Sequence, residues 1–419
     1  MPPKKKISDF LSMETHEWDL EHLKHALQNA IELEHSTLPL YLFAMYSIKI
    51  QNYTAHNLIR SIVMEEMIHM ALAANMLSAI GGVPQIRELH PAYPSQGLPG
   101  GAEPDVHARL APLSKRQIRN FMRVEVPDFL ISNFLTTDQV AHEQYPTIGR
   151  FYEAVRAAFT HLEAEGGQIS AAIARGGSSN QIEEDIGCES IEDFDGIMLA
   201  LDLITEQGEG STSTTLLADE RFDGEESHYT KFAEIHYGKK FVNPELNHVT
   251  PETEESFFKG DRVMSPVVIN ALAVPADGYA KILDEYTKLD PEAAIRVRHA
   301  LDAVDQAYTD VMNNLDAAWN GPANERGERM GTAIAGMSAL KIPVRISSAY
   351  YPNYPVEDED EAIWQQALMS LQIPEAIIAD LPRLYPDEWD DLNLYTDLSE
   401  PVFFGPRFLN LNVTEVPAV

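Results

Sequence analysis

The sequence predicts an all-α fold built around a helical bundle, with additional helices and an irregular, aromatic and proline-rich C-terminal cover. Apolar residues recur at three- and four-residue steps in several long segments, which is the period of a helix with one buried face. Glycine and proline stand where these segments end. No strand-like alternation of useful length interrupts the first half of the chain. These observations favour helices packed on helices.

Two long helices open the pattern. The first is predicted over residues 17–50, and its apolar stripe also contains Glu34. The second is predicted over residues 54–80, where Gly81-Gly82-Val83-Pro84 ends it. Because only a short turn separates them, we expect an antiparallel pair.

Further helices follow a Pro/Gly-rich loop at 90–103. Helical patterns recur at about 114–135, 147–165, 191–208, 224–237, 276–288 and 291–319. The polar linker GSTSTTLLADERFDG is long enough to turn the chain back between two of them.

The composition changes beyond Pro244. The segments SSAYYPNYP, VEDEDEA and SEPVFFGPRF predict loops and extended cover over a helical core. We therefore expect a tail at 1–16, a metal-binding helical domain at 17–242 and a helical and irregular region at 243–419.

Composition and charge narrow the class of partner. The 419 residues are 44% hydrophobic, and 31 basic against 65 acidic residues give a net charge of −34. This charge argues against nucleic acid or an anionic membrane and suits a small molecule or a cation. The single cysteine, Cys188, excludes an internal disulfide and a thiolate cluster. Without a signal-peptide pattern or a membrane-spanning run, a cytoplasmic protein is expected, either monomer or homodimer.

Two Glu-x-x-His pairs have the spacing of metal ligands. Residues three apart share a helix face, so Glu66 and His69 could hold one ion together. Glu225 and His228 repeat this arrangement in GEESHYTKFAEI. Two other copies, Glu32-His35 off the apolar stripe and Glu245-His248 in a predicted loop, are interpreted as solvated.

The positions of these residues along their helices test independently whether the predicted ligands can meet. Glu34 lies about 16 residues before the first turn and Glu66 about 12 after it, which at about 1.5 Å per residue places them at similar levels. Glu206 precedes the end of its helix and Glu225 follows the start of the next. Each pair is therefore expected to meet.

Buried carboxylates are normally paired or metal-bound. Glutamate and histidine without thiolate suit iron or manganese, and a helical bundle can supply one Glu from each of two helices and Glu-x-x-His from each of two others. The predicted ligands are Glu34, Glu66, His69, Glu206, Glu225 and His228, with Glu66 and Glu225 able to bridge. Glu153 and Glu209 are alternatives to Glu206, and Glu65 is expected beside the ligands or in solvent.

Four segments resemble one family. AIELEHSTLPLYLFAMYSIK, VMEEMIHMALAANMLSAIGGVP, LITEQGEGS and ESHYTKFAEI are similar, in this order, to the ferritin-like domain of the iminophenyl-pyruvate dimer synthases of bisindole pigment biosynthesis and of related stand-alone proteins. The resemblance covers about residues 17–240. It implies a ferritin-like four-helix core with ligands at Glu34, Glu66, His69, Glu225 and His228.

The resemblance also implies an activity. The synthases couple two amino-acid-derived imines oxidatively and carry iron, including haem. This chain is far shorter and lacks their additional region, which argues against the dimerisation chemistry. It also has no Cys-x-x-Cys-His motif for haem attachment.

The sequence thus predicts a non-haem di-iron oxidase or oxygenase that uses O2 on a small organic substrate, with manganese or haem as alternative cofactors. A ferroxidase or iron-binding protein, an imine-coupling enzyme and a structural protein with a vestigial site are the other hypotheses. Tyr41, Tyr152 and Tyr229 could line the pocket, although such tyrosines are more often core.

Overall fold

The computed structural model describes residues 5–48, 53–140, 145–176, 180–182, 190–208, 216–217, 225–242, 249–339 and 371–413. The α-helices in these ranges are α1 (Ile7–Leu11), α2 (Leu20–Ser47), α3 (Tyr53–Ala79), α4 (Lys115–Val124), α5 (Thr137–Val140), α6 (Ile148–Ala164), α7 (Gln168–Ile173), α8 (Phe194–Gly208), α9 (His228–Tyr237), α10 (Ala280–Leu289), α11 (Pro291–Asn320), α12 (Arg326–Ala339), α13 (Glu375–Ile378), α14 (Leu381–Leu384) and α15 (Trp389–Tyr395).

Shorter elements connect these helices. Two antiparallel two-stranded sheets pair β1 (Ser95–Gln96) with β2 (His107–Ala108) and β3 (Lys239–Phe241) with β4 (Phe258–Arg262). The 3-10 turns are Thr15–Glu17, Pro99–Gly101, Asp128–Asn133, Glu254–Phe257 and Ala323–Glu325. The all-α prediction is confirmed.

The antiparallel pair α2 and α3 forms the centre of the bundle. Asp19 caps α2 by accepting a hydrogen bond from the backbone N–H of His22 at 2.8 Å. Gly81 follows α3 with a φ of +78°, the left-handed conformation that ends a helix and that glycine adopts without strain. Helices α6, α8 and α9 pack on this pair, and α4 packs on α9. Polar side chains carried by these helices can therefore meet at one point inside the bundle.

The C-terminal part of the chain packs on the outer side of α2 and α3. Tyr308 of α11 is hydrogen-bonded to His35 of α2 at 2.7 Å, and Trp319 donates to Asn75 of α3 at 3.0 Å. The segment SEPVFFGPRF follows α15 and buries Phe404 and Phe408. It is a cover of the kind that the sequence predicts.

Most predicted helices are present with shifted ends. The segment predicted over 114–135 ends at Val124, because Pro127 cannot continue the hydrogen-bond ladder of α4. The segment predicted from residue 224 begins at His228. Helix α1 lies within the predicted tail, and its Ile7 and Phe10 are fully buried.

Several predicted features lie outside the described residues. They are Cys188, Glu209, Glu245-His248, most of the linker GSTSTTLLADERFDG, and the segments SSAYYPNYP and VEDEDEA. Among the described residues, no helix combines the length and the apolar character that crossing a membrane would require.

Candidate metal centre

Five buried side chains from four helices meet inside the bundle. Glu34 lies on α2, Glu66 and His69 lie on α3, and His228 is the first residue of α9. Glu125 directly follows the last residue of α4. None of the five is more than 7% exposed. We call them the Glu/His cluster.

The inner nitrogens of both histidines face the carboxylates. Nδ1 of His228 lies 2.8 Å from Oε1 of Glu66 and 3.6 Å from Oε2 of Glu125. Nδ1 of His69 lies 3.8 Å from Oε2 of Glu34. One donor atom from each of Glu66, His69 and His228 falls within 4.8 Å of the others. A single ion could bind all three.

The outer nitrogens of the histidines are occupied by other partners. Nε2 of His69 lies 2.9 Å from Oε1 of Gln207, and Nε2 of His228 lies 2.9 Å from Oε2 of Glu65. Lys231 in turn donates to both oxygens of Glu65 at 2.7 Å. Since these oxygens accept, each Nε2 carries a proton, and in the neutral form of either histidine the lone pair is on Nδ1, the nitrogen that faces the cluster. This is the arrangement that orients metal-bound histidines.

Hydroxyl groups hold one oxygen of each carboxylate. The donors are Thr37 to Oε2 of Glu66 at 2.7 Å, Tyr41 to Oε1 of Glu125, and Tyr152 to Oε1 of Glu34. In each case the other carboxylate oxygen is the one that faces a histidine. The carboxylates are thus oriented by neutral donors, with one oxygen left toward the centre of the cluster.

The electrostatics show an excess of negative charge. Burial, followed by the charge of Glu66, raises the pKa of Glu34 and of Glu125. Burial also acts to raise the pKa of Glu66, but hydrogen bonding and charge from His228 outweigh it and leave that pKa below its ordinary value. Burial would lower the pKa of His228, yet its hydrogen bonds to three carboxylates raise it. A bound cation would balance the charge that His228 alone must otherwise neutralise.

His69 behaves differently from His228. Burial and the neighbouring charge of His228 lower the pKa of His69 to about 4. His69 is therefore neutral near pH 7, the form in which a histidine binds a metal.

The cavity at the cluster is small. Its volume is about 30 Å³, and apolar side chains of Leu33, Val124, Ile148 and Ile204 complete its wall. This volume is close to the share of one water molecule in the liquid. It suits ions and a water-sized ligand.

Gly208 gives the cluster room on the α8 side. A Cβ atom at this position would lie 3.7 Å from Oε2 of Glu125. A longer side chain here would extend toward the same oxygen that faces His228. Taken with the buried oxygen and nitrogen donors, this space fits iron or manganese, the metals that such donor sets favour.

The structure brings together four of the six residues that the sequence singled out. These are Glu34, Glu66, His69 and His228. Glu34 and Glu66 line the same cavity, as expected from their matching heights on α2 and α3.

The structure does not place Glu225 with them. Helix α9 begins at His228, capped by Ser227, so Glu225 lies before the helix and the three-residue spacing does not bring it to the same face. Its side chain is 56% exposed and lies 4.0 Å from Lys231. The structure thus places Glu225 apart from the other predicted ligands, contrary to the expectation that it shares a helix face with His228.

Glu206 also differs from its predicted position. Ile204, Thr205 and Gly208 of α8 line the cavity, whereas Glu206, although buried, does not. At 100° per residue it lies on the opposite side of the helix from Gly208. Glu153, one of the two alternatives to Glu206, is exposed, and the other, Glu209, lies outside the described residues.

Glu125 is the carboxylate that sequence reasoning missed. It stands between two valines in FMRVEVPDF, a segment that also contains Arg123 and Asp128, so the signal is weaker than the one at Glu66. The predicted helix over 114–135 runs across Pro127 and puts Glu125 in mid-helix, whereas in the structure Glu125 directly follows the last residue of α4. Tyr41 and Tyr152 contact the cluster, while Tyr229 donates to Glu254 at 2.7 Å, away from it.

One family model matches the sequence, and this match agrees with the architecture. A sequence-family model described as Ferritin-like matches residues 27–237. A solved structure, a ferritin-like protein from Caulobacter vibrioides at 1.95 Å resolution, is 20% identical and covers 77% of this chain and 96% of its own, with a TM-score of 0.48. None of the curated proteins matches the chain.

Proposed function

The chain belongs to the ferritin-like family, and from this premise we propose that it is a non-haem di-iron oxidase or oxygenase acting with O2 on a small organic substrate. The proposed ligands are Glu34, Glu66, His69, Glu125 and His228. Glu125 takes the place that the sequence suggested for Glu206 and Glu225. Bound iron would supply the redox chemistry with O2.

One observation carries the proposal. Within the described residues, the charged partners of Glu34, Glu66 and Glu125 are the two histidines, and no Lys or Arg side chain forms an ion pair with these three carboxylates. Three buried carboxylates so arranged are costly without a cation. Two metal ions per chain are the occupancy that such helical carboxylate sites take.

The chain's own residues would perform the remaining tasks. Gln207 and Glu65 fix the histidine tautomers, and the hydroxyls of Tyr41 and Tyr152 orient the outer oxygens of Glu125 and Glu34. The apolar wall of the small cavity keeps bulk water from the cluster. The similarity to the imine dimer synthases makes an amino-acid-derived substrate in secondary metabolism the first class to screen.

A second function is favoured by a specific observation. The cavity of about 30 Å³ admits ions and a water-sized molecule but no organic substrate in this conformation. Oxidation of iron itself, in a ferroxidase, requires no more room than this. The net charge of −34 would also attract iron cations.

Metal content and O2 uptake test the proposal. After anaerobic loading with Fe²⁺, we expect about two irons per chain, lost in the Glu66→Ala/His228→Ala double variant and reduced in Glu125→Gln. Glu206→Gln and Glu225→Gln are matched controls with the same change outside the cluster, and both should retain the iron of the wild type.

Uptake of O2 separates the two functions. An oxidase or oxygenase should consume O2 repeatedly when reductant and an organic substrate are supplied at fixed iron. A ferroxidase should consume O2 only in proportion to added Fe²⁺. Equal iron in the wild type and the double variant would overturn the ligand assignment.

A further inference from the structure

A second cavity lies between the bundle and the C-terminal helices. Its volume is about 190 Å³, and its walls come from α2 and α3 on one side and from α11 and α12 on the other. Five methionines line it, Met64, Met67, Met70, Met312 and Met330. Methionine is flexible and polarizable, and it packs favourably against aromatic rings. Met64, 44% exposed, lies where the cavity meets solvent.

The described lining residues include no Asp, Glu, Lys or Arg. A charged ligand would therefore lose its hydration without gaining a partner. The aromatic members are Tyr308 and Trp319, and the polar atoms of both are already paired, with His35 and Asn75 respectively. What these two side chains offer a ligand is aromatic surface.

One polar atom of the lining residues, Nδ1 of His35, has no hydrogen-bond partner among the described residues. His35 is 1% exposed, lines the cavity, and uses Nε2 for its hydrogen bond with Tyr308. Its Nδ1 is buried without a hydrogen-bond partner among the described residues. In either neutral tautomer Nδ1 can pair with one polar group. A buried polar atom left unpaired is costly, so a ligand that satisfies it gains selectivity over one that does not.

We propose that this cavity binds a neutral aromatic molecule of about one ring that carries a single hydrogen-bonding group, such as a phenol, with that group paired to Nδ1 of His35. The volume supports this size, because a cavity of about 150 Å³ lined by apolar side chains holds benzene.

This site is separate from the Glu/His cluster. The two cavities share no lining residue. On α3, Glu66 and His69 face the cluster, whereas Met67 and Ala71 face the larger cavity. The inference therefore goes beyond the proposed function and can fail or succeed independently of it.

Binding of phenol and of toluene to the full-length, metal-free protein tests the proposal. The two probes have nearly the same shape and differ in the hydroxyl group. Titration calorimetry should show phenol binding at least as tightly as toluene, because the hydroxyl finds a partner in His35. In a cavity without that partner, the cost of burying the hydroxyl group would make phenol bind more weakly than toluene.

A substitution that fills the cavity tests whether phenol binds there. Ala71→Leu adds bulk inside the cavity and should weaken phenol binding by about tenfold or more. Ala303→Leu makes the same change on an exposed position of α11 and should leave binding unchanged. Leu315→Phe fills the opposite wall and replaces Ala71→Leu if the latter does not fold. Toluene binding without phenol binding, no binding of either, or equal phenol binding in a folded filling variant would overturn the proposal.

Discussion

Glu65 and Glu66 are neighbours on α3, yet they contact opposite nitrogens of one histidine. Glu66 faces Nδ1 of His228 and Glu65 faces Nε2, while Lys231 balances the charge of Glu65. Burial acts to raise the pKa of Glu65, but its contacts with His228 and Lys231 lower that pKa to about 2. One residue of the pair would thus hold the metal and the other would orient the ligand.

Glu65→Ala should lower the affinity for iron without removing a ligand. Loss of the carboxylate frees the ring of His228 and its tautomer, and such outer partners contribute about 10- to 100-fold in metal affinity. Competition with a chelator measures the change. Glu65→Gln should restore most of the affinity, since an amide oxygen still accepts the Nε2 hydrogen.

The exposed pair of Glu21 and Lys24 provides the control for this prediction. Their side chains lie 2.8 Å apart on the surface of α2, so Glu21→Ala removes an equivalent ion pair outside the bundle. Unchanged affinity in Glu65→Ala, or a loss that Glu65→Gln does not restore, would contradict the orienting role.

Part of the site was predictable at the residue scale. Glu34, Glu66 and His69 lie in mid-helix, where the three- and four-residue period fixes the face of each side chain. Glu125 and His228 lie at helix ends. At such positions the direction of a side chain depends on the residue where the helix stops or starts, and a one-residue error changes it by about 100°.

At the scale of elements, the long helices could be read from the sequence because burial of one face imposes a period on many residues at once. The interruption at Pro127 and the late start of α9 depend on single residues, a proline and the cap Ser227. The contact between α4 and α9 could not be read from this period. The packing of α4 on α9, which brings Glu125 to His228, is a tertiary contact that leaves no periodic signal.

The C-terminal segment meets the bundle through a glycine. A Cβ atom at Gly405 would overlap the ring of Phe43 on α2. Gly405→Ala should therefore reduce the free energy of unfolding by about 1–3 kcal/mol through overpacking, as measured by urea denaturation.

Gly331 offers a matched control for this substitution. It lies within α12, and a Cβ there would meet nothing within 4 Å. Gly331→Ala should stabilise the protein by about 0.5–1 kcal/mol, because alanine loses less conformational freedom in a helix. Equal effects of the two substitutions would show that the Gly405 contact does not hold the segment.

At the scale of the whole molecule, the last described segment is tied back to α11. Asp305 accepts hydrogen bonds from Arg407 and from the backbone N–H of Leu409, the latter at 3.1 Å. Arg407 also contacts Asp302 at 2.8 Å. Burial raises the pKa of Asp305 to about 6, although Arg407 acts to lower it. This ion pair joins two parts of the chain that are about a hundred residues apart.

This pKa has a consequence for stability. The folded-state pKa exceeds the ordinary value of 3.8, so proton binding favours the fold. The stabilisation that comes from protonating Asp305 is complete below pH 3.8 and is lost as the pH rises through about 6. The difference corresponds to about 3 kcal/mol.

Comparison with Asp305→Asn isolates this contribution. The variant keeps one of the two acceptor oxygens that Arg407 and Leu409 use, places an NH2 group at the other, and does not titrate, so its change in hydrogen bonding is the same at every pH. The unfolding free energy of the wild type minus that of the variant should fall by about 2 kcal/mol between about pH 4 and pH 7, an interval that covers most of the full difference. Charges elsewhere affect both proteins and cancel in the difference. A difference that stays constant, or rises, over this interval would contradict the raised pKa.

The central claim is that the Glu/His cluster holds metal, and anomalous X-ray diffraction from iron-loaded crystals tests it most directly. We expect about two iron peaks per chain, bound by Glu34, Glu66, His69, Glu125 and His228, with Glu206 and Glu225 outside coordination distance. The absence of iron from this cluster, or iron bound only elsewhere on the chain, would contradict the claim.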